Sequence, residues 1–549
     1  MLKALLSSLI LNVLVDHFGL FTDMKGITML ENRLNNSGLA DFNVTKEVIK
    51  EVDALSEKLK KSILEAKDEL TVAGKCYYVS ENGDDSNDGL SMETPKKTIA
   101  GVNALELCPG DGVFFKRGDI FRGELQGKAG VTYAAYGEGI KPRLYGCPEN
   151  GADASKWTLV DGTDNIWRYK TLMTDVGVIV FNEDECCSVK KIPSFVGGKY
   201  VLRYDKNTEF DIRKHMDKDL CHFSKSDSEL DEGGFPKTGE PIGELYLRCD
   251  RGNPGEVFDS IEFCTKNFII KCPFCNGIRI DNLTLKYCGY HGIWSGGIDG
   301  ITVTNCEIGW IGGCVHGFSR AEKTLGDVTG VGNGIEVYGN SKNVLLEHNY
   351  IYQCYDAGMT HQAARGLTYD IKMTNITYSE NLIEYCTYSY EYFLGAPDDT
   401  VSVRYQKDIK VINNIMRYSG FGFGEMRPSP DGYFPAAHIK GWHHANYLDE
   451  NYVIEGNIFD RARDMMIHCC AAKGEYLPKF RNNIFVGYKG EGAQTSFGHY
   501  CSLDNNSFLP YNENTVDEIK KTDSTCGIYF AERDGLFELP DYLPKHDRT

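Results

Sequence analysis

Proline, positive charge and long apolar runs are all in short supply in this chain. Its 549 residues hold 17 prolines against 58 glycines, the balance expected of many short strands joined by tight turns. No apolar run reaches the length that spans a bilayer. Lys and Arg number 59 against 78 Asp and Glu, a net charge of −19. Phosphate backbones and anionic lipid need basic surfaces, so nucleic acid and membrane partners are excluded. The same charge counts against a strongly polyanionic polysaccharide. Cysteine is plentiful, at 19, but lacks order. The count is odd, Cys186–Cys187 and Cys469–Cys470 are adjacent, and the Cys272/Cys275 pair has no second pair to complete a structural zinc. The pattern predicts reduced thiols packed as small hydrophobes in a cytoplasmic protein, with no metal and no cofactor. Leu5 to Val15 is apolar like a secretory signal. Only Lys3 precedes it, Asp16 follows, and no small-residue cleavage site is evident, so secretion is the alternative.

What is present is organised in blocks. Residues 1–74 read as helical, with Val48, Ile49, Val52, Leu55, Leu59 and Ile63 on one face and Lys46, Glu47, Lys50, Glu51 and Lys60 on the other. This is a packing arm. Short β runs begin at Cys76, and residues 75–149 read as the start of a solenoid. Asp84, Ser86 and Asp88 lie in a turn with calcium-loop spacing, but Pro95 stands where the bidentate acid belongs. Residues 150–262 lack any repeat and read as an inserted β-sandwich-like domain. Residues 263–514 form the repetitive body, and 515–549 a tail.

The repeat is the strongest signal. Asn282, Asn305, Asn349, Asn381, Asn413, Asn457, Asn483 and Asn506 each end a short β run, at spacings of 23, 44, 32, 32, 44, 26 and 23. The minimum is one β-solenoid coil. Asn at equivalent turns can stack its amide from coil to coil and tolerates left-handed backbone. Cys288, Cys354 and Cys386 mark a second, inward column. The predicted fold is a right-handed parallel β-helix, a single-stranded solenoid. Its central coils carry roughly 10–20 residues beyond the minimum, in Ala363–Thr374, Gly395–Gln406 and Arg427–Asp449. Insertions of this kind gather on one face and build the binding site.

Tyr78 to Gly89, Pro95, Thr98-Ile99, Pro109-Gly110-Asp111 and Lys116 to Asp119 together resemble the opening of bacterial parallel β-helix proteins of the pectate-lyase-like superfamily. Tyr355 to Gly358, Tyr388 to Tyr392 and Glu425 to Pro428 resemble its glycoside-hydrolase branch, whose β-xylosidases and α-fucosidases also carry an early inserted β domain. The resemblance covers about residues 76–510. It implies cleavage of plant-type oligosaccharides by a pair of carboxyl groups, without a cofactor.

Such a pair must flank the glycosidic bond. Neighbouring coils lie about 4.8 Å apart, so acids in matching columns of adjacent coils would sit near the separation of retaining enzymes. Acids on the loop-bearing coils are Glu336, Asp356, Glu391, Glu425 and Asp464. Asp464 follows Arg461 and Arg463, and an ion pair suits it. Asp356, Glu391 and Glu425 are the expected catalytic set. Counting from the cysteine column places Glu391 inward, level with Ile293, Met359 and Phe423. Either the register slips by one there, or Glu391 is a buried acid with a raised pKa, which suits a general acid. Glu336, His361, Tyr392, Arg427, His438, Trp442 and His443 are the expected substrate contacts, and His361 falls in one column with Glu425. Tyr388, Phe421 and Tyr433 are further aromatics able to stack on sugars. Two alternatives stay open. One is a polysaccharide lyase using Arg365, Arg404 or Lys440 as base. The other is a non-catalytic carbohydrate-binding solenoid.

Overall fold

The computed structural model describes residues 46–67, 70–196, 199–203, 205–225, 243–318, 328–395, 397–427, 436–442, 447–470, 478–489, 496–502, 524–525 and 527–532. Alternation of apolar and polar residues over runs of three to nine residues makes short strands. They assemble into three long sheets of ten, nine and ten strands. Every pairing within these sheets is parallel; for example, Ile376–Ser379 lies against Ile409–Ile412. Successive coils visit the first sheet, the third and then the second, and β-strands separated by a whole coil pair in register. The architecture is a parallel β-helix. Its interior is filled by Ile278, Ile301, Val344, Ile376, Ile409 and their equivalents, stacked coil on coil. Cys288, Cys354 and Cys386 belong to this interior, as expected.

The asparagine repeat resolves into two adjacent columns. In one, the backbone is left-handed: Asn282, Asn305, His348, Glu380, Asn413, Gly456 and Asn482 all have φ between +54° and +66°. In the next, side-chain amides link successive coils. Asn349 donates to Asn381, Asn381 to Asn414, Asn414 to Asn457 and Asn457 to Asn483, each at 2.9–3.1 Å. Asn413 is therefore corrected to Asn414 in the ladder, and Asn282 and Asn305 belong to the turn column. Asn506 lies outside the described residues. Each ladder Asn also accepts a backbone N–H from the preceding coil. A buried polar row of this kind is tolerated because it is satisfied from coil to coil.

The long insertions depart from both edges of the second sheet. Residues 146–269, 312–333 and 418–436 connect the third sheet to the second, and 364–370, 395–403 and 443–446 connect the second to the first. The outer face of the second sheet is thus the floor between two sets of connections. Within the first insertion, Trp157 to Thr265 forms sheets of five, three and three strands. They lock onto the solenoid where Gly177 meets the backbone of Gly312 to Cys314, too close for any side chain. Asp175 accepts from the Val315 amide at 2.6 Å and pairs with buried Lys190 at 2.7 Å.

The amphipathic segment is the α-helix Lys46–Leu64. Ile49, Val52 and Ile63 pack with Tyr350, Leu382, Ile415, Ile458 and Ile484 on the outside of the third sheet. No helix among the described residues is long and apolar enough to cross a membrane. Cys272 and Cys275 are buried, their thiols turned to the carbonyls of Trp294 and Gly127.

Candidate active site

The second sheet aligns one outward column in strict register: Trp294, Glu336, Thr360, Glu391, Lys440 and His468. Inward neighbours form the matching core column Ile293, Ile335, Met359, Tyr390, Ile439 and Ile467. The register thus slips by one relative to the cysteine count. The corner after Cys386 is one residue shorter than those after Cys288 and Cys354, so Tyr390 takes the inward position and Glu391 turns out.

Glu391 is buried and pairs with Lys440 across adjacent coils at 2.6 Å. Its carboxyl is pushed above the ordinary range. Burial is the main cause, Lys440 opposes it, and the negative charge of Asp356 reinforces it. The Lys440 ammonium lies 4.5 Å above the Tyr388 ring. Burial alone would neutralise it, but Glu391, Tyr388 and Asp356 hold it charged. Tyr388 itself is pushed up to about 12, first by burial.

Asp356 stands at the corner before the strand Ala357–Ala363 and bonds the Arg427 guanidinium at 2.5 Å. Burial works to raise its pKa, but Arg427 and then Lys440 outweigh burial and keep the carboxylate below its usual value. Arg427 arrives from the loop that follows the 3₁₀ turn Phe423–Met426. Two carboxyl groups and two cations therefore share one field, and the acids are displaced in opposite directions.

Glu336 anchors the other end of the column. Asn333 Nδ2 donates to it at 2.9 Å, and His291 Nε2 lies 3.0 Å away. The Asn333 backbone N–H donates to His291 Nδ1 at 3.0 Å. With Nδ1 accepting that bond, the Nε2 proton is directed at Glu336. Burial opposes ionisation of Glu336, but His291, Asn333 and Gln362 prevail, and its pKa is lowered. Between the two glutamates sits Thr360, fully buried, with no hydrogen-bond partner for its hydroxyl oxygen among the described residues.

Several expected contacts are corrected. His361 and Tyr392 share an inward column with Val337 and pack in the coil interior. His361 lies 3.0 Å from the Tyr378 hydroxyl and bonds Gln406; burial lowers it to about 4. Glu425 is not in its column, because the 3₁₀ turn takes Glu425 off the second sheet. The charge of Glu425 is felt instead at Cys187 of the inserted sheets. What this loop gives the acid pair is Arg427. His438 is buried against the Ser389 and Ser419 hydroxyls and the Asp460 carbonyl, and burial lowers it to about 3. It is a satisfied interior group. His443 and the Trp442 side chain lie outside the described residues, as does Tyr433. No two of the candidate acids occupy adjacent coils of one column. Glu336 and Glu391 are separated by Thr360, and Asp356 precedes Thr360 by four residues. Arg404 is spent on the carbonyls of Gly395, Tyr369 and Leu367. Asp464 pairs with Arg463 at 2.8 Å, as expected.

His291, Asn333, Thr360 and Trp294 were not expected as parts of one site, and Lys440 was expected only as a lyase base. Their signal is positional, since each is found only by knowing the register.

No protein-family profile matches the chain. The sequence is 36% identical over 204 residues to a lacto-N-biosidase of Bifidobacterium longum subsp. longum, a stretch covering 33% of this chain and 12% of that protein. The chain therefore spans a small part of the curated relative that it matches. Among solved structures it is similar to XylC with xylose, with 13% identity, 83% of this chain and 82% of that chain covered, and a TM-score of 0.38. It is also similar to a GH136 lacto-N-biosidase of Eubacterium ramulus, with 14% identity, 88% and 70% covered, and a TM-score of 0.32.

Proposed function

We propose that the protein is a glycoside hydrolase acting on oligosaccharides. The observation that carries this reading is two buried carboxyl groups, each ion-paired to a cation on the second sheet or at its edge: Glu391 with Lys440 at 2.6 Å and Asp356 with Arg427 at 2.5 Å, the first displaced upward and the second downward in pKa. Glycoside hydrolysis needs that division, one protonated acid and one carboxylate. Glu391 donates its proton to the leaving oxygen. Asp356, held ionised by Arg427, stabilises the developing positive charge or acts on the anomeric carbon directly or through water. Glu336, set by His291 and Asn333, accepts a hydrogen bond from a sugar hydroxyl. The partial sequence match to a lacto-N-biosidase supports the same class of reaction.

A lyase reading finds less support. The negative charge of the groups around it raises Lys440, and Tyr388 is pushed up to about 12. Neither is a ready base near neutral pH. The test is a screen of aryl xylosides, fucosides, arabinosides, galactosides and an aryl lacto-N-bioside, with Glu391→Gln as control. Release of the aryl group by the wild type and its loss in the variant is expected. Inertness on every glycoside, or an unsaturated sugar product, overturns the proposal.

A further inference from the structure

The outward column continues beyond the acids, and what it reaches is aromatic. Trp294 is the direct register partner of Glu336 and stands three coils before Glu391. At about 4.8 Å per coil that is roughly 14 Å, a distance that one sugar ring cannot bridge and an oligosaccharide can. Trp294 is half-exposed, while Ile293 and Ser295 on either side are buried. Its indole lies along the strand over Gly296, where a Cβ would meet the six-membered ring at 3.4–3.6 Å. The ring lies down on the sheet in van der Waals reach of position 296. Phe268 braces it at 5.6 Å with 33° between the planes, and Tyr290 meets Phe268 edge-on at 4.9 Å. Lys271, the register partner of Trp294 in the preceding coil, lies 5.4 Å over Phe268. Gly296 in turn aligns with Tyr338, Gln362 and Phe393. A second outward column, which includes the aromatic residues Tyr338 and Phe393, thus runs beside the carboxylates.

We infer that Trp294, braced by Phe268, is a distal sugar-stacking subsite for the same oligosaccharide whose bond is cleaved at Glu391. The inference rests on the proposed hydrolase reading for its direction along the face. The physical basis is that pyranose faces are apolar and settle on half-exposed aromatic rings. The register places this ring on the line of the acids. It commits the site to substrates of several rings, bound along the solenoid axis across the floor between the two sets of connections.

The experiment compares wild type, Trp294→Ala and Trp294→Phe with xylotetraose, lacto-N-tetraose and an aryl monoglycoside. The ratio of kcat/KM for tetrasaccharide over monoglycoside is expected to fall about tenfold in Trp294→Ala, through KM, and to recover largely in Trp294→Phe. Calorimetric titration of the tetrasaccharides, in the Glu391→Gln background where turnover occurs, gives a readout independent of catalysis. There Trp294→Ala is expected to weaken binding by a similar factor. If no glycoside is turned over yet Trp294→Ala weakens binding, the hydrolase reading fails and the subsite stands. An unchanged ratio and unchanged affinity in Trp294→Ala overturn it, as does the failure of both tetrasaccharides to bind wild type.

Discussion

Two outer faces of this solenoid carry buried charge, and they are built differently. On the third sheet, Glu384, Arg417 and Asp460 occupy one column on three adjacent coils. Asp460 receives Arg417 Nε at 2.8 Å and Arg461 Nε at 2.6 Å, and the helix brings Asp53 to both arginines. Burial opposes ionisation of Asp460, but the two arginines keep its pKa low. On the second sheet the charge is carried by two pairs, Glu391–Lys440 and Asp356–Arg427. There the acids act on each other as well as on their cations. A raised pKa by itself does not separate the faces. Glu384 is raised too, first by burial and against Arg417. The helix closes the third-sheet network and Tyr350 completes it at 3.1 Å. The second sheet leaves Thr360 unbonded between two glutamates and runs aromatic residues alongside. The helix-covered network is a clamp; the second-sheet column is the one proposed to receive a ligand.

The comparison breaks first at Glu391. Burial raises its pKa against Lys440, and Glu391→Gln removes the transferable proton. Loss of proton transfer is expected to cost about 10²–10⁴-fold in kcat, a far larger relative effect than the loss of stability from leaving Lys440 without its buried partner. Denaturant melts beside steady-state rates check both halves. A variant that keeps its rate removes Glu391 from the chemistry.

The opposite pattern is expected at Arg417. Arg417→Met strands Asp460 and Glu384 beneath the helix. Removing one partner of a buried network costs about 3–5 kcal/mol. Activity per folded molecule should persist below the lowered melting point. Retained stability with lost activity would reverse the roles assigned to the two faces.

Acid sharpens a third contrast, between the faces and the coil interior. His361 is lowered to about 4, and His438 and His222 to about 3, each first by burial. Unfolded histidine takes its proton near 6.5, whereas these do not until the pH is far lower. Stability is therefore full above about pH 6.5 and is lost as pH falls toward 4. His361 alone accounts for about 3 kcal/mol of that loss. The second-sheet acids affect rate instead. Activity falls on the alkaline side as Glu391 deprotonates above the usual glutamate range, and on the acid side only below the usual aspartate range, where Asp356 protonates. Unfolding free energies from pH 4 to 7 that do not change would contradict the interior assignment.

The solenoid was legible because its repeat is written in residue types. Asparagine ladders, small inward cysteines and strand-length apolar runs recur whatever the loops do. The conflict at Glu391 was legible as well, since an acid between two tyrosines fits no solvated strand. What failed was phase. Shortening the corner after Cys386 by one residue exchanges inside for outside along a whole strand. That single step moved Tyr392 into the core and Glu391 out of it. His361 was misread because it lies between residues that face out, Thr360 and Gln362, and the interior supplies it with Tyr378 and Gln406 from distant coils. Trp294 was invisible for the opposite reason. It sits on a minimal coil without an insertion, and only stacking shows that its column leads to the acids.

The smallest effect is expected at Thr360, and it is the most discriminating. Thr360 is the one non-ionisable residue between Glu336 and Glu391, and its buried hydroxyl has no partner among the described residues. Thr360→Val keeps the branched shape and removes only that oxygen. In a purely structural column the change is neutral or slightly stabilising, because an unsatisfied buried oxygen is a cost. In a site it removes a hydrogen bond to substrate, worth about 0.5–1.5 kcal/mol, so kcat/KM on an oligosaccharide drops by up to about tenfold while the melting point stays level or rises. Trp294→Ala and Thr360→Val lie along the same column, and substrate must cross both. Their effects on KM should therefore be non-additive if one ring sequence spans the two, and independent if Trp294 binds sugar on its own. A stabilised Thr360→Val with unaltered kinetics would return this column to the class of the helix-covered network.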